Sequence, residues 1–85
     1  MSVKKIEAAI KKTKKTLKMY KCTFKEYMRD SGRRDDIDLG DRVSVKKGGD
    51  GIVVGWNRSS NYDVFLFEKS DIYNVHPSSV EKVEA

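Results

Sequence analysis

The chain has 85 residues, 36% of them charged, a formal net charge of +5 and a single cysteine, Cys22. This length holds one domain with at most an appendage and a small core, and one cysteine excludes an internal disulfide and fits a reducing, cytoplasmic setting. No apolar run approaches the roughly 18 residues of a membrane-spanning helix, and no continuous apolar stretch follows the first lysines, so neither membrane insertion nor a secretory signal is expected.

The charge is divided unevenly. Residues 1–34 carry nine lysines and three arginines against Glu7, Glu26 and Asp30, a balance of +9. Residues 35–85 carry six basic and ten acidic side chains, a balance of −4, and the two together give the +5. The chain therefore reads as a basic helical arm, 1–34, joined to a mildly acidic unit, 38–85. Such an arm commonly meets a polyanion: nucleic acid, an acidic protein surface or anionic lipid.

In the arm, Val3, Ile6, Ile10, Thr13, Leu17, Tyr20, Phe24 and Tyr27 recur at alternating steps of three and four. That spacing puts them on one stripe of a helix. Lysines 4, 5, 11, 12, 14, 15, 18, 21 and 25 cover the remaining surface. An unbroken helix of about 27 residues would be roughly 40 Å long. Two helices are the other reading, because Thr23-Phe-Lys-Glu26 has the form of a capping box. Gly32 is a C-terminal stop, followed by a polar linker to Asp38. Like charges at i, i+4 spacing destabilise an isolated helix, so the apolar stripe needs cover. The expected cover is the chain's own second half. Thr13 at a core position weakens pairing with a second copy, and a narrow stripe without Trp weakens binding to a membrane surface.

From Gly40 the period changes from 3.6 to 2. Arg42-Val-Ser-Val-Lys46 alternates and reads as a first strand. Gly48-Gly49-Asp50-Gly51 reads as a turn, and Ile52-Val-Val-Gly-Trp56 as a second strand with Gly55 marking a bulge. After a polar loop, Tyr62-Asp-Val-Phe-Leu-Phe67 is the third strand and Ile72-Tyr-Asn-Val-His76 the fourth. Pro77 to Ser79 reads as a tight turn before a short fifth strand, Val80-Glu-Lys-Val83. Short strands joined by turns, with no helix between them, point to a small closed antiparallel sheet. The fold class is therefore α+β: an N-terminal amphipathic helix, or two, followed by a five-stranded antiparallel barrel. The expected core is Val43, Val45, Ile52, Val54, Val64, Leu66, Val75, Val80 and Val83. Phe65 and Phe67 face the other way along the third strand, and the helical stripe is expected to cover them.

Gly40-Asp41-Arg42-Val43, the glycine-rich turn, Gly51-Ile-Val-Val and the closing Val75-His-Pro-Ser-Ser-Val-Glu-Lys-Val83 resemble the SH3-like small barrels, which include Tudor and KOW modules. The resemblance begins at Gly40 and does not reach the arm. The plasmid-encoded type II dihydrofolate reductases are similar at Gly40 to Val43, Lys46-Lys47, Gly51-Ile-Val-Val-Gly-Trp56 and Val80-Glu-Lys-Val83. That resemblance implies an NADPH-dependent reductase as a minor alternative. The family's pore segment, Val-Gln-Ile-Tyr, aligns here with Tyr73-Asn-Val-His76, where the glutamine and tyrosine are replaced. Barrels of this kind host many unrelated tasks, so the resemblance specifies fold more than function.

No catalytic signature stands out and no cofactor is expected. His76 beside Pro77 reads as a structural residue at a turn. One Cys and one His do not suggest a metal site. The Gly48–Gly51 cluster lacks the spacing and the Lys-Ser/Thr of a phosphate loop. Asp35, Asp36, Asp38 and Asp41 read as a solvated linker. Binding features are stronger. Lys11, Lys12, Lys14, Lys15, Lys18, Lys21, Lys25, Arg33 and Arg34 of the arm can neutralise phosphates, with Lys46, Lys47 and Arg58 in loops at the barrel rim. Trp56, Tyr62 and Tyr73 are the candidate aromatic surface beside them, suited to stacking on bases. A methyl-lysine cage would instead need three or four such rings on one rim. The leading expectation is a non-catalytic nucleic-acid-binding module. The alternative is a protein-interaction adaptor, such as a small phage or plasmid factor that docks on a host protein.

Overall fold

The structure, a computed structural model, describes residues 2–32, 36–57 and 61–83. Two helices, α1 (Ser2–Tyr20) and α2 (Phe24–Asp30), precede five strands: β1 (Arg42–Val45), β2 (Gly49–Trp56), β3 (Tyr62–Leu66), β4 (Asp71–Val75) and β5 (Val80–Lys82). A 3₁₀ turn, Pro77–Ser79, leads into β5. His76 caps that turn, its Nδ1 accepting from the Ser78 N–H at 3.1 Å. This is the structural role expected of the histidine.

The arm is two helices. Lys21 adopts a left-handed backbone, φ 56°, which ends α1. The capping box then starts α2: Thr23 Oγ1 accepts from the Glu26 N–H at 3.1 Å, and Glu26 Oε1 accepts from the Thr23 N–H at 3.1 Å. The Thr23 N–H foremost, and then the Thr23 hydroxyl, hold the Glu26 carboxyl below its ordinary value. Gly32, at φ 77°, is the stop after α2, and its N–H donates to Arg29 O at 3.0 Å.

The sheet is antiparallel throughout, in the order β4-β3-β2-β1-β5. β5 returns across the molecule to pair with β1, Val45 opposite Val80. The tight β1–β2 turn begins two residues earlier than the glycines suggest. Lys46, Lys47 and Gly48 make it, with Lys47 at φ 63° and the Gly48 N–H donating to Val45 O at 3.0 Å. Gly49 to Gly51 are already in β2, paired with β1.

Val43, Val45, Val53, Tyr62, Val64, Leu66 and Val80 form one apolar core with Leu17, Phe24, Met28 and Ile37. The two halves of the chain therefore share a core. Three expected members change place: Ile52, Val83 and Val54, the last buried on the opposite face of the sheet. Ile52 is only half-buried and pairs on the opposite face, between Arg42 and Phe65. Val53 takes the inner position instead, because Gly51, not Ile52, lies opposite Val43. Val83 is 40% exposed, one residue past the end of β5. Val75 is half-buried against the core.

The opposite sheet face is a second apolar layer, and α1 lies across β2 there. Val54 and Phe65 are buried on it, and Ile6 and Ile10 of α1 are partly buried. Thr13 Oγ1 lies 2.8 Å from Val54 O and 3.0 Å from Ala9 O, its one proton shared between two carbonyls. The approach is close enough to require Gly55: a Cβ there would come within 2.6 Å of Thr13 Oγ1. The bulge expected at Gly55 is present, as the β2–β3 register shifts between Val53 and Gly55. Phe67 departs from expectation. It stays 41% exposed, with the Arg42 guanidinium 5.8 Å from its ring centre and the Phe65 ring at its edge.

Near its start, α1 is tied to β4 by Lys5 Nζ, 2.6 Å from Asp71 Oδ1. The Lys5 hydrogen bond, then the Ile72 N–H, hold the Asp71 carboxyl below its ordinary 3.8. A carboxyl held low in the folded chain contributes stability above its unfolded value and loses it as pH falls through the folded one. Asp71→Asn is therefore expected to lower the melting temperature at neutral pH. The gap to the unaltered chain should persist down to pH 3.8 and close below it. A gap unchanged in acid would show that the ion pair does not fasten α1.

Candidate functional site

α1 meets the sheet along one edge and leaves a cleft of about 750 Å³ on its other side. Lys12, Thr16 and Tyr20 line the helix wall, at the i, i+4, i+8 spacing that puts three side chains in one row. The sheet wall includes Val54, Asp63 and Ile72. The end wall is aromatic, made by Tyr27 of α2 and Trp56 at the end of β2.

The end wall exists because α2 folds back on α1. The left-handed step at Lys21 and the cap at Thr23 turn the chain so that Tyr27 stacks on Tyr20, ring centres 5.5 Å apart and 13° between planes. Tyr27 in turn lies 4.4 Å from Trp56, at 32°. The three rings make a ladder. Tyr20, its outermost member, is 57% exposed. Phe24, buried beneath, contacts both Trp56 and Tyr62 at 6.0 Å and fixes the base of the ladder. Asp63, on the facing wall, is oriented by Asn74, whose Nδ2 donates to Asp63 Oδ1 at 3.2 Å. Asn61 Nδ2 donates in turn to Asn74 Oδ1 at 3.3 Å.

Of the aromatic surface expected from sequence, Trp56 alone reaches this site. Tyr62 is fully buried in the core. It has the same strand parity as Val64 and Leu66, so the inner face claims it. Tyr73 is exposed, but it neighbours Ile72 in β4 and so points to the face away from the cleft. Tyr20 and Tyr27 take their places. Both stood in the helical stripe seven residues apart. The capping box between them was the signal that the stripe folds on itself.

The lysines divide into groups. Lys11, Lys14, Lys15 and Lys18 are exposed on the flank of α1 away from the sheet, and Lys12 borders the cleft. Lys21 is exposed at the joint between the helices, and Lys25 is half-buried on α2. Lys46 and Lys47 are exposed in the β1–β2 turn, at the far end of β2 from Trp56. Eight strand residues at about 3.3 Å each put that turn roughly 23 Å from Trp56, so it does not join the aromatic wall. Arg33, Arg34 and Arg58 lie outside the described residues, as does Asp35. Asp41 pairs with Lys82 Nζ at 3.4 Å and accepts from the Asp38 N–H at 2.9 Å, which gives these two aspartates structural partners.

Among the described residues no three His, Cys, Asp or Glu side chains gather into a metal-binding group, and no helix is long and apolar enough to cross a membrane. Cys22 is a half-buried free thiol at the joint. The segment aligned with the reductase pore, Tyr73-Asn-Val-His76, occupies β4 and the cap of the 3₁₀ turn. No protein-family model, curated protein or solved structure matches the chain.

Proposed function

We propose that this chain is a small non-catalytic nucleic-acid-binding module built on an SH3-like barrel. The carrying observation is the adjacency of two features: the exposed lysine flank of α1 and the aromatic-walled cleft that the same helix borders. Lysines neutralise phosphates and release their counterions, which gives affinity with little sequence preference. Aromatic rings beside them add stacking contacts. The sheet contributes few cations near the cleft and carries acidic Asp63 and Asp71, so the helix is the phosphate side. The strand order, with β5 returning to β1, supports the barrel reading.

Binding is expected to weaken steeply with salt. Replacing Lys11, Lys12, Lys14, Lys15 and Lys18 with Gln should lower affinity and flatten the plot of log K against log salt. The flattening should be about 0.7 for each lysine that meets a phosphate of a single strand, or about 0.9 on duplex. An unchanged slope overturns the proposal.

A protein-docking adaptor is the second reading. It draws on β4 at the end of the strand order, with Tyr73 44% exposed upon it. Extended partners add to sheet edges of this kind. Capture of a defined partner that survives high salt in nuclease-treated samples would favour it.

A further inference from the structure

We propose that the cleft beneath α1 seats one unpaired nucleobase, so that the module takes single strands in preference to duplex. The inference rests on the nucleic-acid reading above and adds the form of the ligand and the atoms that hold it.

Three observations carry it. First, Tyr20, Tyr27 and Trp56 form a ladder, Tyr20 stacked on Tyr27 at 13° and Tyr27 tilted at 32° to Trp56, whose outermost member is more than half exposed. Such a stack is extended by another flat ring. In duplex the faces of the bases are already covered by their neighbours, so an unpaired base is the fitting partner. The ladder does not suit a quaternary ammonium ion. Its rings lie on one another at 4.4 and 5.5 Å rather than standing around a space, and the neighbouring helix is strongly basic.

Second, the cleft has a charge direction. Lys12 is on the helix wall and Asp63 on the sheet wall. A nucleotide has the same direction, with an anionic phosphate at one end and, on most bases, amino groups at the other. Phosphate is drawn to the lysine flank and repelled from Asp63 and Asp71. A base amino group donates to a carboxylate. The Asn74 amide holds the Asp63 carboxylate in place for that contact. Third, about 750 Å³ is within the range of small-molecule sites and accepts a base with its sugar.

Trp56 is the one tryptophan of the chain and stands in the cleft wall, so it reports on the site directly. The test titrates the full chain at low salt with a mixed-sequence DNA single strand and with a duplex of the same length, following Trp56 emission and a fluorescent end label. The single strand should bind more tightly and quench Trp56, and the duplex should leave Trp56 unchanged. Tyr20→Ala should weaken single-strand binding by about 5- to 150-fold, the effect of losing one stacked base, without weakening duplex binding. Quenching in the unaltered chain does not depend on the variant's fold. Equal binding of both forms, or single-strand binding without quenching, overturns the base seat while leaving the lysine-driven module intact. Absence of binding to either polymer overturns both.

Discussion

Phe24→Ala is expected to cost about 3–5 kcal/mol of stability, the range for deleting a buried phenyl ring. Phe24 is 2% exposed and opens α2. Its ring touches Trp56 and Tyr62, and it belongs to the same cluster as Leu17 at the end of α1. One side chain thus closes the corner where both helices meet the sheet. For a domain of this size that loss lowers the melting temperature by about 12 °C or more, read by circular dichroism. It also removes the floor under the aromatic ladder, so Trp56 emission should shift to the red in the part of the population still folded. A fall of less than about 5 °C would mean that the corner is held by other contacts.

Gly51→Ala is expected to be nearly as costly, although it adds a single methyl group. Gly51 is buried in β2, between Val43 of β1 and Leu66 of β3. A Cβ there would come to 2.4 Å from Phe65 O and 2.7 Å from Val64 Cγ1. The first atom is backbone in a paired strand and cannot step aside without parting β2 from β3. Overpacking of this kind costs about 1–3 kcal/mol or more, and the backbone clash puts this site at the upper end. Denaturant unfolding should show a lower midpoint with an unchanged slope. The control is Gly40→Ala, with open space around its Cβ but φ 84°. Its cost is limited to backbone strain of about 1 kcal/mol. Equal losses at the two glycines would contradict the packing account of Gly51.

The punctuation of the fold was legible in the sequence. Thr23 and Glu26 announced the second helix, Gly32 its end and Gly55 the bulge, because each of these acts through its own neighbours. The phase of β2 was not legible. Ile52, Val53 and Val54 are all apolar, and both sheet faces are covered, so alternation carries no sign of which residue points inward. The decision lies with Gly51, whose missing side chain lets β3 come close, and that is a long-range fact. Tyr62 was readable in principle, since its parity with Val64 and Leu66 puts it inside. The site was half legible. The lysine flank follows from composition and period. The aromatic wall depends on the angle between two helices, which no local pattern states.

The bond between Thr13 and the carbonyl of Val54 has a consequence for how the sheet finds its pairing. Moved by one residue, β2 would still present a branched aliphatic side chain to each face, and hydrophobicity would penalise the error little. Val54 is passed over in the β2–β3 register, so its position marks the correct alignment. Only in that alignment do the Thr13 hydroxyl meet a carbonyl and Gly55 leave room for the helix. Docking of α1 is therefore expected to add to the preference that Gly51 sets for this alignment. A chain lacking residues 1–20 is expected to lose its single pairing before it loses its strands, and to show this as duplicated amide resonances from β2 and β3.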